Sequence, residues 1–519
     1  MSYKTVTAIH ASIRPLRAAA GLRVPTILAF LGLIAIGRAH AATVIRPRTS
    51  SAVVPVAIHI QARKKGYAIP HNFCGLSFET MSETPTPADR AGIRGSSRPL
   101  FSPIDKQLIT LFRNMGVRNL RLGGGTLDGL HAAHPSDADI DRVFGFAKAA
   151  GVKVIYSLQL LNGNPRRDAA TARYIWTSYR RNLECFALGN EPDVPSYHYP
   201  PHGAGTGTDP AIRGYRSYLA DWRKFALTIL RAVPTAKFAG PDAAGKLWAA
   251  WFARDQKHWG HVILITQHWY VGGGPFIPGT RIGMSSAMAI KRMLGRSWPV
   301  KRYPRFFHHN VAPVLATGFP CRMTEMNDYL YGVNGASNAF ASALWALDLM
   351  HWWAAHGCCG INFHNTRWIP TDTIYVGRSG GYKMRPKGYA FRAFDLGSHG
   401  RVEPAMLTNV DHLNLTAYAV GTAKTQYVTI INKEYGRHAR PAEATLAFHD
   451  FTAHSARVMF LRAPHGDVGA QHGVTLGGAA ITNHAPWHGR WRAMNSRSHG
   501  NFTLYVPPAS AAIVRVSGQ

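Results

Sequence analysis

The architecture of this chain follows from one short segment, Phe186-Ala187-Leu188-Gly189-Asn190-Glu191-Pro192-Asp193. Its first three residues are typical of a buried parallel strand, and the glycine and asparagine end that strand. Pro192 has no backbone N–H and cannot continue a strand. Glu191 is therefore predicted to emerge at the carboxyl end of a strand. A polar turn without a catalytic role is the plainer alternative.

Seven further apolar runs of strand length flank this segment along the chain. Helical patterns separate most of them, and this alternation is typical of parallel βαβ units. Eight strands with intervening helices predict a closed (β/α)8 TIM barrel over residues 66–400. In such barrels the catalytic residues collect at the carboxyl ends of the strands. The predicted strands end near Glu79, Leu122, Leu160, Leu188, Gly240, Thr266, Glu325 and His364.

A second carboxylate, Glu325, ends the seventh predicted strand, whereas Glu191 follows the fourth. Retaining hydrolysis of a glycoside needs one carboxylic acid of raised pKa and one ionised carboxylate, about 5–5.5 Å apart. Strand ends on opposite sides of a narrow barrel mouth can provide that separation. We therefore interpret Glu191 and Glu325 as the candidate catalytic pair of a glycoside hydrolase.

Polar residues at neighbouring strand ends are candidates for substrate binding. Asn190 is predicted to form a hydrogen bond with the sugar 2-hydroxyl. His268 and Tyr270, after the sixth strand, are predicted to orient Glu325 and keep it ionised. Asp128, which follows the second strand and its three glycines, is a further candidate.

The texture of the sequence changes at both ends of the predicted barrel. Residues 401–519 contain short alternating strands separated by turn residues, which predicts a C-terminal β-sandwich. Residues 42–65 contain one more strand, which we expect to pair with that sandwich. Residues 1–41 show a basic lead, an apolar run and a small-residue cleavage site, the order of a secretory signal peptide. The sequence thus predicts a secreted or periplasmic protein without a stable membrane anchor.

The chain is strongly basic, with a formal net charge of +32. A field of this sign favours anionic partners, and an acidic glycan fits the candidate catalytic pair. Residues 256–324 contain no Asp or Glu but many Lys and Arg. No nucleic-acid-binding motif is apparent, so we expect no nucleic-acid partner. A basic surface that only improves solubility is the alternative.

The five cysteines are too few and too scattered for a disulfide framework, although a bridge between Cys321 and Cys359 is conceivable. The histidines and cysteines lack metal-ligand spacing, and the glycine-rich segment 123–125 lacks the residues of a phosphate-binding loop. We therefore expect neither a metal ion nor another cofactor.

Several motifs resemble the heparanase and microbial β-glucuronidase family of retaining glycoside hydrolases. The resemblance covers residues 66–400 well and extends loosely into the sandwich. It rests on six segments: Gly75-Leu76-Ser77-Phe78-Glu79, Leu120-Arg121-Leu122-Gly123-Gly124, Leu188-Gly189-Asn190-Glu191-Pro192, Gln267-His268-Trp269-Tyr270, Thr324-Glu325 with Asn327 and Tyr329, and Phe340-Ala341-Ser342-Ala343-Leu344-Trp345-Ala346-Leu347-Asp348.

This resemblance implies a β-glucuronidase in which Glu191 is the acid/base and Glu325 the nucleophile. Family members bind the uronate carboxylate through tyrosine and glycine backbone groups just after the nucleophile. Here Tyr329, Tyr331 and Gly332 occupy that stretch, and the sequence departs from the usual glycine run. Glu79 is similar to a family acid that contacts sugar hydroxyls, and a capping carboxylate is the alternative for it.

Two other functions are compatible with the sequence. The same barrel and mechanism could serve a neutral sugar, as in a xylanase, an arabinofuranosidase or a β-glucosidase. Alternatively, the chain could be a secreted polysaccharide-binding protein whose carboxylate pair is idle. Turnover of aryl glycosides that differ at carbon 6 separates the sugars, and release of reducing ends separates an enzyme from a binding protein.

Overall fold

The structure, a computed structural model, describes residues 52–518 except 65, 85–98, 130, 131, 133, 195–209, 246, 378–380 and 497–499. The predicted signal peptide lies outside the described residues. Within them, no helix is both long enough and apolar enough to cross a membrane.

Eight parallel strands close into the predicted barrel. Each pairs in parallel with the next, and the first pairs with the last, so that Leu76 lies opposite Phe363. Glu191 follows the fourth barrel strand and Glu325 lies in the seventh, as predicted. The barrel strands are β2(Cys74–Glu79), β3(Asn119–Gly123), β4(Lys153–Leu158), β5(Leu183–Leu188), β6(Phe238–Ala243), β7(Val262–Tyr270), β8(Cys321–Asn327) and β9(Cys358–Asn365).

Helices follow the barrel strands, and a short antiparallel hairpin follows the last of them. The sequence predicts helices between most of the barrel strands, but it does not predict the hairpin. The helices are α1(Lys106–Met115), α2(Asp137–Ala150), α3(Pro165–Tyr179), α4(Pro210–Ala232), α5(Trp248–Gln256), α6(Ser286–Leu294), α7(Tyr303–Phe306), α8(Ala312–Leu315), α9(Phe340–Ala355) and α10(Lys387–Gly397). The hairpin consists of β10(Ile374–Val376) and β11(Tyr382–Met384).

The remaining strands form a sandwich of two sheets. One sheet has the order β13-β1-β16-β20, and the other β12-β14-β15-β21-β17-β18 with β19 beside β17. A common apolar core lies between the two sheets. The N-terminal strand β1 pairs in parallel with β16 along its whole length. The strands are β1(Val54–Gln61), β12(Arg401–Glu403), β13(Ala405–Thr408), β14(Leu415–Gly421), β15(Thr425–Asn432), β16(Ala442–His449), β17(Ala453–Arg462), β18(Thr475–Leu476), β19(Arg492–Met494), β20(Phe502–Val506) and β21(Ser510–Gly518).

Helix α9 is apolar on all sides because both halves of the structure cover it. Every residue from Phe340 to Ala354 is buried, as is expected of a helix enclosed within a core. One buried acid interrupts this surface. Asp348 accepts hydrogen bonds from Thr416 (2.7 Å) and Tyr418 (2.8 Å) of β14 and pairs with Lys433 (3.0 Å), just after β15. These bonds tie the barrel to the sandwich.

Large polar side chains fill the lower part of the barrel. The guanidinium of Arg322 is buried and donates to Asn362 Oδ1 (2.7 Å) and to the carbonyl of Asn72 (2.9 Å). This arrangement requires a glycine at position 360, where an added Cβ would lie 2.1 Å from an Arg322 nitrogen. Small apolar residues continue the filling in a separate cluster, which comprises Ile155, Cys185, Ala187, Ala239 and Leu264.

All five cysteines are free thiols in the structure. The conceivable Cys321–Cys359 bridge is absent, because the strand register places Cys321 opposite Cys358. The Cys358 thiol instead donates to the carbonyl of Cys321 at 3.3 Å. These residues act as small buried side chains.

We predict that Asp348→Ala destabilises the fold strongly. The substitution leaves the ammonium group of Lys433, only 2% exposed, without its acidic partner. Removal of one member of a buried ion pair costs about 3–5 kcal/mol. Urea unfolding followed by tryptophan fluorescence measures the effect, with exposed Asp411→Ala as the control, expected within about 0.5 kcal/mol of the parent. A loss of unfolding free energy below about 1 kcal/mol for Asp348→Ala would contradict the inferred role of Asp348 in tying the barrel to the sandwich.

Candidate active site

The carboxyl ends of β5, β7 and β8 bring the two candidate glutamates together. One carboxylate oxygen of Glu191, one oxygen of Glu325 and one ring nitrogen of His268 all lie within 4.8 Å of one another. Such a separation suits direct attack by a carboxylate, whereas inverting enzymes hold their carboxyl groups about 6.5–9.5 Å apart to admit a water molecule. The geometry therefore fits a double-displacement reaction.

The backbone that presents Glu191 is strained. Its φ angle is 45°, in the left-handed region that non-glycine residues rarely occupy. The Glu191 N–H donates to the carbonyl of Asp242 at 2.9 Å, and Asp242 has a positive φ of 54° as well. Strain of this kind persists where surrounding bonds determine the conformation, which is common at functional sites.

The Glu325 side chain is buried and is surrounded by hydrogen-bond donors. Tyr270 donates its hydroxyl to Oε1 at 2.8 Å, and Arg121 donates Nη1 to Oε2 at 2.9 Å. Ring nitrogens of His364 and His268 lie 3.7 and 3.9 Å from Oε2. These four neighbours of the carboxylate all favour its charged form.

Arg121 connects most of the site through one guanidinium group. Its side chain is fully buried and donates Nη2 to Asn190 Oδ1 (2.7 Å) and to Asp242 Oδ2 (2.8 Å), besides its bond to Glu325. The other oxygen of Asp242 accepts from the hydroxyl of Thr324 at 2.6 Å. One rigid planar cation therefore fixes residues from three other barrel strands or their ends.

His268 lies between three acids. Its Nδ1 is 3.0 Å from Glu191 Oε1, and its Nε2 is 3.5 Å from Asp242 Oδ1. Burial by itself would lower the pKa of the ring, but the charge of Glu325 and the bonds to the other two acids raise it to about 9. At neutral pH His268 is therefore an imidazolium. It contacts Glu191 more closely than Glu325, the residue it was predicted to orient.

The two glutamates have pKa values shifted in opposite directions. Burial alone would raise the pKa of Glu325, but His364, His268, Arg121 and the Tyr270 hydroxyl lower it to about 2. For Glu191, burial is the largest cause and raises the pKa, and the charge of Glu325 adds to this despite the opposing His268. Such a division between neighbouring carboxyls is the pattern of a general acid beside an ionised carboxylate.

Glu79 lies on the same rim and forms a second histidine–carboxylate pair. Its oxygens accept from His364 Nε2 (3.1 Å) and from both the backbone and the hydroxyl of Thr126 (2.9 and 2.7 Å). Gly124 must be glycine here, because its φ is +84° and an added Cβ would lie 2.5 Å from the Glu79 carboxyl group. Burial alone would raise the pKa of Glu79, but His364 lowers it below its usual range.

Asn190 and Asp128 form a connected pair behind Glu191. Asp128 accepts from the backbone N–H groups of Leu160 (2.8 Å), Leu161 (3.1 Å) and Asn190 (2.8 Å). Its carboxylate thus shapes the loops at the strand ends rather than facing the barrel mouth. The side-chain oxygen of Asn190 is held by Arg121, which leaves its amide nitrogen as the group suited to a sugar hydroxyl.

The segment after β8 differs from the expectation for uronate binding. Tyr329 is buried and its hydroxyl lies 3.2 Å from the carbonyl of Ala289 in α6, so it packs in the barrel wall. The N–H of Gly332 donates to the carbonyl of Tyr329 at 3.0 Å within a tight turn. Tyr331 is 57% exposed and remains the residue of this group with an accessible side chain. The predicted contact between Tyr329 and the uronate carboxylate is therefore incorrect, because the Tyr329 ring packs against α6 in the barrel wall.

The carboxylate pair and His268 have a spacing that a metal ion could use. Without a metal ion, the acids around His268 raise the pKa of its ring. A metal would have to displace that ring proton before His268 could serve as a ligand.

Sequence reasoning missed three residues of this network, namely Arg121, Asp242 and His364. The available signal was a charged or polar residue inside an apolar strand, as in Leu120-Arg121-Leu122. A buried charge on a barrel strand is costly unless it is paired, so an arginine there predicts acids on neighbouring strands.

No family profile matches the chain, and no curated protein matches its sequence. Solved structures match it in fold. A 4-O-α-L-rhamnosyl-β-D-glucuronidase from Fusarium oxysporum has a TM-score of 0.61 and 16% identity, covering 89% of this chain and 99% of its own. A family 51 arabinofuranosidase from Xanthomonas axonopodis has a TM-score of 0.62 and 13% identity, covering 89% and 100%. CelM2, a bifunctional glucanase-xylanase from a metagenome library, has a TM-score of 0.58 and 14% identity, covering 90% and 99%. The chain thus has the barrel-and-sandwich fold of several glycoside hydrolases.

We predict that the pKa of His268 falls in the Glu325→Gln variant. The substitution removes a negative charge that stabilises the imidazolium while it preserves the shape of the side chain. Histidine NMR measures both titrations, starting from about 9 in the parent. Asp411→Asn, remote from the network, serves as a control and is expected to leave the titration unchanged. A parent His268 that titrates near pH 6.5 would contradict the arrangement of charges.

Proposed function

We propose that this chain is a retaining β-glucuronidase that cleaves β-linked glucuronic acid by double displacement. The observation that carries the reaction type is the 4.8 Å limit on the separation of the Glu191 and Glu325 oxygens. The opposite pKa shifts of these two groups support the assignment of roles.

In the first step, a Glu325 oxygen attacks the anomeric carbon while the bond to the leaving oxygen breaks. Glu191 gives its proton to that leaving oxygen. In the second step, Glu191 removes a proton from water, which attacks the same carbon and releases Glu325 as a carboxylate. Arg121 and Tyr270 hold the nucleophile in place through both steps. The amide nitrogen of Asn190 is positioned to donate to the sugar 2-hydroxyl.

Three observations favour a uronic acid as the sugar. The motifs resemble those of the heparanase and β-glucuronidase family, the net charge of +32 attracts anionic glycans, and one structural neighbour is itself a β-D-glucuronidase. The exposed Tyr331 is our candidate for contact with the uronate carboxylate. The arabinofuranosidase neighbour makes a neutral pentose the main competing substrate.

A panel of p-nitrophenyl glycosides tests the sugar. We expect the β-glucuronide to be hydrolysed with a kcat/KM at least about tenfold above that of the β-glucoside, β-xyloside and α-arabinofuranoside, since a carboxylate at carbon 6 adds a charge-assisted contact. Higher turnover of the arabinofuranoside or xyloside would identify a neutral-sugar enzyme instead. Binding of oligosaccharide without release of reducing ends would identify a binding protein.

Glutamine variants test the two catalytic roles. Glu325→Gln should abolish turnover, because no other group is placed to form the glycosyl-enzyme. Glu191→Gln should retain the first step for an aryl leaving group that needs no protonation, and added azide should partly rescue the second step. Single-turnover and steady-state rates of p-nitrophenol release separate the two steps. Near-normal activity of Glu325→Gln would refute the assignment, and Asp411→Asn controls for handling of the variants.

A further inference from the structure

A large cleft lies apart from the catalytic carboxylates, where the barrel meets the sandwich. Its volume is about 840 Å³, which is within the range of pockets that hold drug-sized ligands. None of the residues of the catalytic network belongs to its described lining. The barrel contributes Gln107, Leu111, Asn338, Tyr375, Gly377, Gly381, Tyr382, Lys383, Met384 and Arg385, and the sandwich contributes Gln471, His472, Ile481, Thr482, Asn483 and His484.

The cleft is on the same side of the barrel as the catalytic pair. Gln107 lies in the first turn of α1 and Asn338 directly precedes α9, while the hairpin follows β9. All three positions follow the carboxyl ends of barrel strands, the rim on which Glu191 and Glu325 lie. A long substrate held at that rim could therefore extend towards the cleft.

Hydrogen bonds between barrel and sandwich hold the walls in place. At one wall, Asn338 Nδ2 donates to Gln471 Oε1 at 3.1 Å. At the other, Asn483 Nδ2 donates to Gln107 Oε1 (2.9 Å) and to the carbonyl of Tyr382 (3.2 Å). These hydrogen bonds hold the cleft open between barrel and sandwich without a bound ligand.

The described lining contains one lysine, one arginine, two histidines and no acid. The Arg385 guanidinium lies 5.4 Å from the centre of the Tyr375 ring and donates to the carbonyl of Asp372 at 3.2 Å, so its position is fixed. Lys383 pairs across the hairpin with Tyr375 and is exposed. The two remaining bases, His472 and His484, come from the sandwich and are exposed as well.

Two acids close to the cleft, Asp105 and Asp372, already accept hydrogen bonds from other residues. Asp105 accepts from the backbone of Leu108 and from the hydroxyl of Tyr382, and Asp372 accepts from the backbone N–H groups of Thr366 and Arg367. The charge of Asp372 acts on Arg385 from behind the wall, so the positive charge offered to a ligand comes mainly from the exposed Lys383. Because the described lining itself holds no acid, it favours an anionic ligand.

We propose that this cleft is an accessory binding site for an anionic oligosaccharide, such as a further stretch of a uronic acid polymer. Four amide side chains and two tyrosine rings supply the hydrogen bonds and flat apolar surfaces that suit sugar rings, and the bases supply contacts for carboxylates. This inference rests on the proposed function, since it concerns the polymer that a glucuronidase would hold.

Isothermal titration tests the cleft in the inactive Glu325→Gln protein. The probe is an oligogalacturonate hexamer with one carboxylate on each sugar, and neutral xylohexaose is the comparison. Lys383→Gln, His472→Gln and His484→Gln, introduced together, form the cleft variant. We expect this variant to bind one hexamer fewer per chain, or to bind about tenfold more weakly, because it lacks the charge of Lys383 and two imidazole rings of the cleft. Xylohexaose should bind the parent cleft much more weakly than the hexamer.

The matched control carries Lys224→Gln, His438→Gln and His454→Gln, which remove the same side-chain types from other exposed positions. We expect the control to bind the hexamer as the parent does. Equal stoichiometry and affinity in the control and the cleft variant would overturn the proposal, as would equal binding of xylohexaose. Tighter binding of a single-stranded oligonucleotide would overturn the assignment to sugar.

Aryl glycoside turnover separates this proposal from the proposed function. With Glu325 intact, the cleft variant should hydrolyse the preferred aryl glycoside at the parental rate, because none of its three substitutions touches the catalytic network. If no aryl glycoside is turned over, the proposed function fails, while the titration still decides the cleft.

Discussion

The buried guanidinium of Arg121 is the interaction on which the candidate site depends. It contacts Glu325, Asn190 and Asp242, and thereby links the ends of the strands that carry Glu325 and Glu191. A buried cation of this kind is stable only while its acids are present, and the acids are stable only while the cation is present. The catalytic carboxylates therefore share one rigid frame.

The charges within this frame explain the opposite pKa shifts of the two glutamates. The Arg121 guanidinium and the rings of His268 and His364 all lie close to Glu325 and lower its pKa. Glu191 contacts only His268 among these three groups. Burial and the charge of Glu325 raise the pKa of Glu191 despite that contact.

The sandwich contributes to the structure beyond its own core. It covers one side of α9, receives the buried Asp348 through three polar contacts, and provides one wall of the accessory cleft. A barrel helix that is apolar on all sides could not face water. The sandwich is thus required for the barrel to fold as it does.

The sequence by itself determined the barrel, the sandwich and the positions of Glu191 and Glu325, because strand patterns and strand-end carboxylates are local features. It also predicted Tyr270 near Glu325. The sequence did not predict the roles of Arg121, Asp242 and His364, the exclusion of Tyr329 from the site, or the cleft. These depend on strand register and side-chain direction across residues far apart in the chain, which only closure of the barrel and its packing against the sandwich decide.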